Sequence, residues 1–185
     1  MILNDLLAPT YRNLLTALSH WLDKAVENAS GDAVLSARLA DDMFPLSTQI
    51  RFACVQALEG VSRSSGADLP DSVSTLLDEG RNAGEAPGTI RDAQARIRKT
   101  LATVDSVAET QSGLEASAAI AHELPNGMIF DLTAEQYARD WAIPQFYFHL
   151  MAAYAILRGE GVPLGKIDYV AHMLPSLREG TAPQA

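Results

Sequence analysis

Residues 146–158 read FYFHLMAAYAILR, an almost wholly apolar run with one histidine near its middle. Successive residues of a helix are separated by about 100°, so residues three and four apart share a face. The face that includes the histidine consists of Phe146, His149, Leu150, Ala153, Ile156 and Leu157. The pattern therefore predicts a buried helix with His149 turned inward and Phe148 on the opposite side.

The residues before this run predict how the helix begins. Thr133 and Gln136 have the spacing of a capping box, in which each side chain bonds a backbone N–H of the first helical turn. Pro144 lacks an N–H and is expected to interrupt or kink the helix. Further upstream, two short runs with β propensity flank Pro125, Asn126 and Gly127, and Asn-Gly favours a tight hairpin turn. A two-stranded hairpin is therefore predicted within residues 118–132.

Three other long amphipathic segments are visible. The spacing of apolar residues predicts helices over 9–28, over about 47–64 and from about 89 onward. Pro9 suits a first helical turn, and Gly66 suits a helix end. His20 points away from the apolar face of the first helix and is expected in water.

The weaker patterns complete the prediction of architecture. A short helix or turn is expected over 33–39, and one helical turn over 72–77 in a loop-rich connection. Strands and helices do not alternate, which argues against a parallel sheet. We predict a mainly all-α single domain over residues 1–170, built as a helical bundle with a small hairpin before the last helical segment. Residues 171–185 are expected to form a C-terminal tail that is partly mobile.

Composition limits the classes of function. The chain has 185 residues, 48% hydrophobic and 20% charged, which is ordinary for a folded protein. Its net charge of −9 opposes nucleic-acid binding, which depends on basic residues that neutralise phosphates. The basic group of the third long helix has no interleaved aromatic residue for base stacking, so we interpret it as a solvated helix face. It consists of Arg91, Arg96, Arg98 and Lys99.

A single cysteine and the absence of long apolar runs bear on localisation. Cys54 excludes an intramolecular disulfide and lies in an apolar helical pattern, which predicts an inert core thiol. The N-terminus has Asp5 where a signal peptide carries positive charge, and no run reaches the roughly 20 apolar residues of a membrane span. A cytoplasmic protein with no membrane partner is expected.

Four stretches carry a family resemblance. They are WLDKA at 21–25, ARLADDMFPLSTQIRFACVQA at 37–57, TAEQY at 133–137 and PQFYFHLMAAYAILRGEGVPLGK at 144–166. Together they resemble the bacterial domain-of-unknown-function family number nineteen ninety-three, within the DinB/YfiT-like group of four-helix bundles. The resemblance implies that fold, and it implies a homodimer because many members of the group form dimers.

The resemblance also implies a test for a metal site. Metal-binding members of the group use one histidine from the second helix and two from the last helix, spaced as H-x-x-x-H. Here His149 is the only histidine of the last helix, with Gln145 and Ala153 four residues to either side. The second helix has no histidine, and Phe52 stands near the expected ligand position. No resident metal or other cofactor is therefore predicted.

Three hypotheses remain open for His149. It is a buried, neutral imidazole bonded to a polar neighbour such as Tyr or Asp, or it contacts a small ligand in a metal-free cavity, or it is one ligand of a mixed metal site. The side chains that could join His149 in a mixed metal site are Asp41, Asp42 or Gln49. The leading hypothesis is a small-ligand-binding or interaction protein with a metal-free cavity, whose candidate pocket residues are His149, Asp42, Gln49 and Tyr147.

The alternative hypothesis is a divalent-metal-dependent enzyme in which His149 survives as a ligand. No nucleophile, base and orienting acid can be matched by spacing, so no catalytic residue is predicted, and whether the protein is an enzyme stays open. The remaining histidines, His122 in the predicted hairpin and His172 in the tail, are expected at the surface.

Overall fold

The first helix begins earlier than predicted. The structure is a computed structural model that describes residues 3–28, 30–110 and 112–181. Helix α1 spans Leu3–Glu27, with Pro9 inside it and not at its start. The missing N–H of Pro9 removes one hydrogen bond, but the additional turns bury Leu3 and Leu7, which offsets that loss. His20 is exposed, which confirms its predicted position in water.

The second helix matches its prediction closely. A short 3-10 turn at Asp32–Ser36 precedes helix α2, which spans Leu46–Ser65. Gly66 ends α2 in the left-handed conformation, with φ of 68°. Cys54 is fully buried, and burial raises the pKa of its thiol to about 11, which confirms an inert core thiol.

The connection after α2 contains more helix than predicted. Helix α3 spans Ser72–Arg81, and helix α4 spans Ile90–Thr110. The end of α3 lies over the first turn of α2, where the Thr48 hydroxyl donates to the Gly80 carbonyl at 2.8 Å. This cover explains why polar residues at the start of α2 are buried.

The predicted hairpin is present. Strand β1, Ala119–Glu123, pairs antiparallel with strand β2, Ile129–Thr133, and His122 lies opposite Phe130. Gly127, with φ of 84°, allows the chain to reverse between them. The capping box of Thr133 and Gln136 is also confirmed, and it starts the short helix α5, Ala134–Gln136.

Pro144 changes the type of helix and does not break it. A π-helical segment, Tyr137–Ala142, follows α5 directly and leads into helix α6, Ile143–Gly159. Pro144 cannot donate to the carbonyl four residues earlier, so the regular ladder cannot continue through it. The wider π turn directly before Pro144 shifts the register, and the rest of α6 is regular.

The last part of the chain folds back toward α1. Helix α7, Lys166–Tyr169, is followed by a 3-10 turn at Ala171–Ser176, and both contact α1. The predicted tail therefore contains local structure up to residue 176. Residues 182–185 of that tail lie outside the described residues.

The four long helices share one core. Helix α2 packs against α1, α4 and α6, and α1 also packs against α4 and α6. The largest buried side chains at the centre include Tyr11, Trp21, Tyr137 and Phe146. The mainly helical fold with a small hairpin before its last helices is thus confirmed. Over the described residues, no helix is long and apolar enough to cross a membrane.

Candidate functional site

His149 bonds a side chain of the second helix. Its Nδ1 lies 2.9 Å from Oε1 of Gln49, which joins α6 to the first turn of α2. Gln49 is 2% exposed, and His149 is half-buried. The structure therefore brings together two of the four side chains predicted for this site, and the inward orientation of His149 is confirmed.

The hydrogen bonds of Gln49 fix the tautomer of His149. Gln49 Nε2 donates to the Phe44 carbonyl at 3.2 Å, so its Oε1 must be the atom that faces the histidine. A flipped amide would place two acceptor oxygens against each other. Nδ1 of His149 therefore carries the proton, and Nε2 presents a lone pair that has no hydrogen-bond donor among the described residues.

Aromatic rings surround the imidazole. The ring of Phe52 lies 5.3 Å from that of His149, and the ring of Phe148 lies 5.2 Å away, both edge-on. Phe44 packs in turn on Phe52 at 5.7 Å. Phe148 is 59% exposed, which confirms that it lies opposite the core face. Burial among these rings lowers the pKa of His149 to about 4, so the imidazole is neutral at pH 7.

The other two predicted residues lie elsewhere. Asp42 is exposed in the turn before α2 and makes no hydrogen bond to His149. Tyr147 is half-buried on a different face of α6, where its ring packs against Phe146 at 6.0 Å. Burial and the neighbouring Tyr147 hydroxyl raise the pKa of Tyr169. The polar partner of His149 is thus Gln49, whereas a Tyr or Asp was the expected type.

The ligand set of a metal site is not assembled around His149. Across residues 3–28, 30–110 and 112–181, no three His, Cys, Asp or Glu side chains converge closely enough to hold a metal ion. Phe52, which stands near the ligand position implied by the resemblance, contributes a carbon edge to His149. The side chains present here do not fit a three-histidine centre.

The prediction that His122 lies at the surface is wrong. The side chain is 2% exposed and packs between Trp141, with ring centroids 4.6 Å apart, and Tyr137, at 5.3 Å. Neither ring nitrogen has a hydrogen-bond partner among the described residues. Burial, and secondarily the charge of Arg63, lowers the pKa of His122 to about 4.

His122 belongs to a group of buried polar side chains that we call the interior cluster. Its members are Tyr11, Glu59, Arg63, His122, Tyr137 and Trp141. The hydroxyls of Tyr11 and Tyr137, the indole N–H of Trp141 and Nε of Arg63 are enclosed and have no hydrogen-bond partner in the part of the chain that the structure describes. Burial raises the pKa of both tyrosines, and the carboxylate of Glu59 raises it further. The Tyr11 ring packs closely against α2 at Gly60, because a Cβ at that position would overlap the Tyr11 hydroxyl.

Two sequence signals indicated the interior cluster only in part. His122 alternates with exposed residues along β1, and the burial pattern of that strand is typical of one face against a core. Pro144 marked the irregular helix that carries Tyr137 and Trp141, and π-helical turns are frequent at functional sites. The contact between a hairpin and the end of α2 is tertiary, and no local pattern predicts it.

The basic group of α4 is divided. Arg91, Arg98 and Lys99 are exposed, as predicted for a solvated face. Arg96 is instead half-buried, and its Nε donates to Glu79 at 2.7 Å. The neighbouring guanidinium of Arg96 lowers the pKa of Glu79. Arg96 thus joins α4 to α3 and is a structural contact.

Comparison with known proteins agrees with this architecture. The family model of the domain of unknown function DUF1993 matches residues 3–170. The crystal structure of a DinB family member protein from Shewanella denitrificans is similar over 98% of this chain and 96% of that one, with 29% sequence identity and a TM-score of 0.70. No curated protein matches the chain. The family match covers most of the sequence, and the chain therefore belongs to the DUF1993 family of DinB-like fold.

Proposed function

We propose that the protein binds a small ligand at His149 without a metal ion. The observation that carries the proposal is the bond from His149 Nδ1 to Gln49 Oε1, which leaves Nε2 as an acceptor of fixed orientation. The imidazole stays neutral at pH 7 because its pKa lies at about 4. The ligand that suits this group has a hydroxyl or N–H donor on an aromatic or apolar body.

The surrounding surface supports an apolar ligand body. Phe44 and Phe148 are 48% and 59% exposed, and the ring of Phe52 lies between Phe44 and His149. Aromatic side chains around one oriented polar atom are typical of sites that combine apolar contact with a single directional bond. Asp42, the predicted charged residue of this site, is exposed in the turn before α2.

Phenol and anisole provide a matched pair of compounds to test the proposal. Phenol donates a hydrogen bond from its O–H, whereas anisole has a similar ring and no donor. In an NMR titration we expect phenol to shift the His149 ring resonances with saturation and anisole to bind at least about tenfold more weakly. Equal binding of both compounds, or shifts that persist in His149→Phe at other residues, would contradict a role for Nε2.

The alternative function, a divalent-metal-dependent enzyme, is tested by composition. Protein purified without a histidine tag should carry no stoichiometric nickel, zinc, iron or manganese in elemental analysis. A stoichiometric metal that is lost in His149→Ala would overturn the metal-free proposal and favour the enzyme.

We also propose that a second copy of the chain covers the exposed surface of α6 formed by Phe148 and Met151, in a cytoplasmic homodimer. Exposed apolar side chains grouped on one helix face are typical of protein interfaces. Sedimentation of the wild type should show a dimer that Phe148→Ser weakens, whereas Leu177→Ser, at an equally exposed position in the C-terminal segment, should not. A wild-type monomer would exclude this interface.

A further inference from the structure

A second cleft, separate from His149, lies between α2, α3 and the tip of the hairpin. Its volume is about 480 Å³, within the range of small-molecule sites. Glu59 and Arg63 of α2 form its polar floor, and Val73, Leu77 and Leu124 contribute an apolar wall. Neither the proposed ligand site at His149 nor the family match assigns anything to this cleft.

Glu59 and Arg63 are one helical turn apart, where opposite charges commonly form an ion pair. Here they do not, since neither side chain comes within 4.0 Å of an opposite charge among the described residues. Both are half-buried and line the same cleft. Burial raises the pKa of Glu59, as expected for a carboxylate with too little compensation. The charge of Arg63 offsets this rise only in part, so the cleft contains two opposite charges that form no direct ion pair among the described residues.

The interior cluster gives a second observation. Among the described residues, Nε of Arg63 and the hydroxyl of Tyr137 are enclosed without a hydrogen-bond partner, and Tyr137 is 0% exposed. Burial and the charge of Glu59 raise the pKa of that hydroxyl, and the charge of Arg63 lowers it. Buried polar groups without partners are uncommon in folded proteins, and each requires an explanation. Arg63, which lines the cleft, thus has hydrogen-bonding capacity that the described residues do not use.

The charges at the edge of the cleft narrow the class of ligand. Asp71 and Glu123 line it on either side, so three carboxylates face one guanidinium. A simple anion is disfavoured by that field, and a simple cation leaves Arg63 without an acceptor. A molecule with both an ammonium and a carboxylate group satisfies both, and an apolar side chain fits the wall of Val73 and Leu77.

We propose that this cleft binds a small zwitterion with an apolar side chain, of the class of the aliphatic α-amino acids, with Glu59 contacting its ammonium group and Arg63 its carboxylate. This cleft and its ligand class are independent of the proposed site at His149, and the cleft is proposed to bind the ligand without a chemical reaction.

Calorimetric titration of the unmodified protein with three compounds tests the ligand class. L-leucine has both charged groups, 4-methylpentanoate has only the carboxylate, and 3-methylbutylamine has only the ammonium group. We expect leucine to bind and each analogue to bind at least about tenfold more weakly, because a hydrogen bond to a charged group is lost. No binding of leucine at millimolar concentration, or equal binding of either analogue, would overturn the proposal.

Substitutions then test the residues. Glu59→Gln and Arg63→Met should each weaken leucine binding by about tenfold or more, whereas Glu109→Gln and Arg98→Met, at exposed positions on α4, should not change it. Ser74 lines the cleft at an exposed position, so Ser74→Trp should occupy the cleft and weaken binding without disturbing the core. Circular dichroism would show that each variant is folded. Wild-type affinity in folded Glu59→Gln, Arg63→Met and Ser74→Trp would exclude this cleft as the site.

Discussion

Two histidines of this protein, the buried His122 and the half-buried His149, share a pKa of about 4 but differ in what their nitrogens contact. His149 has one nitrogen bonded to Gln49 and the other free as an oriented acceptor. His122 has no hydrogen bond from either nitrogen to any residue that the structure describes, and its ring lies between two aromatic rings. A lowered pKa alone therefore does not distinguish a positioned polar group from one that is only enclosed, and the hydrogen-bond partner does.

The largest expected effect on stability is at two glycines, Gly60 beside Tyr11 of the interior cluster and Gly80 beside Phe52, which contacts His149. A methyl group at Gly60 would overlap the hydroxyl and ring of Tyr11, which is fully buried, whereas one at Gly80 would overlap the edge of Phe52, which is half-buried and can move. Gly60→Ala should lower the free energy of unfolding by about 3 kcal/mol, and Gly80→Ala by about 1 kcal/mol or less. Urea unfolding of both variants measures the difference.

Equal losses of unfolding free energy in Gly60→Ala and Gly80→Ala would contradict the expectation that Phe52 can move and Tyr11 cannot. Tyr11→Phe removes the hydroxyl that lies nearest to Gly60, although the ring atoms stay close. The double variant should therefore recover part of the stability that Gly60→Ala loses. A fully additive loss would mean that the contact between these two residues is not the cause.

The same substitution at the two histidines should have different consequences. His149→Phe leaves the buried Oε1 of Gln49 without a donor, which should cost about 2 kcal/mol of stability. His122→Phe keeps an aromatic ring and breaks no hydrogen bond to the protein, so its cost should stay below about 1 kcal/mol. Urea unfolding at neutral pH compares the two variants, and a larger loss at His122 would show that its nitrogens have a partner.

Acid should destabilise the protein through both histidines. Their folded pKa values of about 4 lie below the ordinary value of 6.5, so the unfolded chain binds protons first as the pH falls. The stability contributed by the neutral rings is present above pH 6.5 and is lost progressively down to pH 4. Removing either ring by His122→Phe or His149→Phe should reduce this loss, whereas His20→Asn, at an exposed position, should not. Urea midpoints measured across this range provide the check.

A feature could be predicted from the sequence when the contacts that form it join residues close together in the chain. The long helices, the hairpin and the capping box at Thr133 depend on residues close together in sequence, and they were predicted. The inward orientation of His149 followed from helical periodicity within one regular segment. The partner Gln49 lies one hundred residues away, and its choice over Asp42 depends on how α2 meets α6.

The interior cluster was missed for the same physical reason. His122 is buried because the hairpin packs on the π-helical segment, which turns Tyr137 and Trp141 toward it. Alternation along β1 indicated only that one face of the strand is covered. Which helix covers it depends on the whole bundle, so sequence patterns at the hairpin could not identify these neighbours.

The smallest expected effect distinguishes the predicted from the observed partner of His149. Asp42 is exposed and has no hydrogen bond to the imidazole, so Asp42→Asn should change the free energy of unfolding by less than about 0.5 kcal/mol. It should also leave the His149 ring resonances unchanged, because removal of a distant, solvated charge alters neither tautomer nor burial. Gln49→Leu is the matched change at the observed partner, and it should move those resonances by freeing Nδ1–H. A shift in Asp42→Asn as large as in Gln49→Leu would mean that the carboxylate reaches the ring in solution.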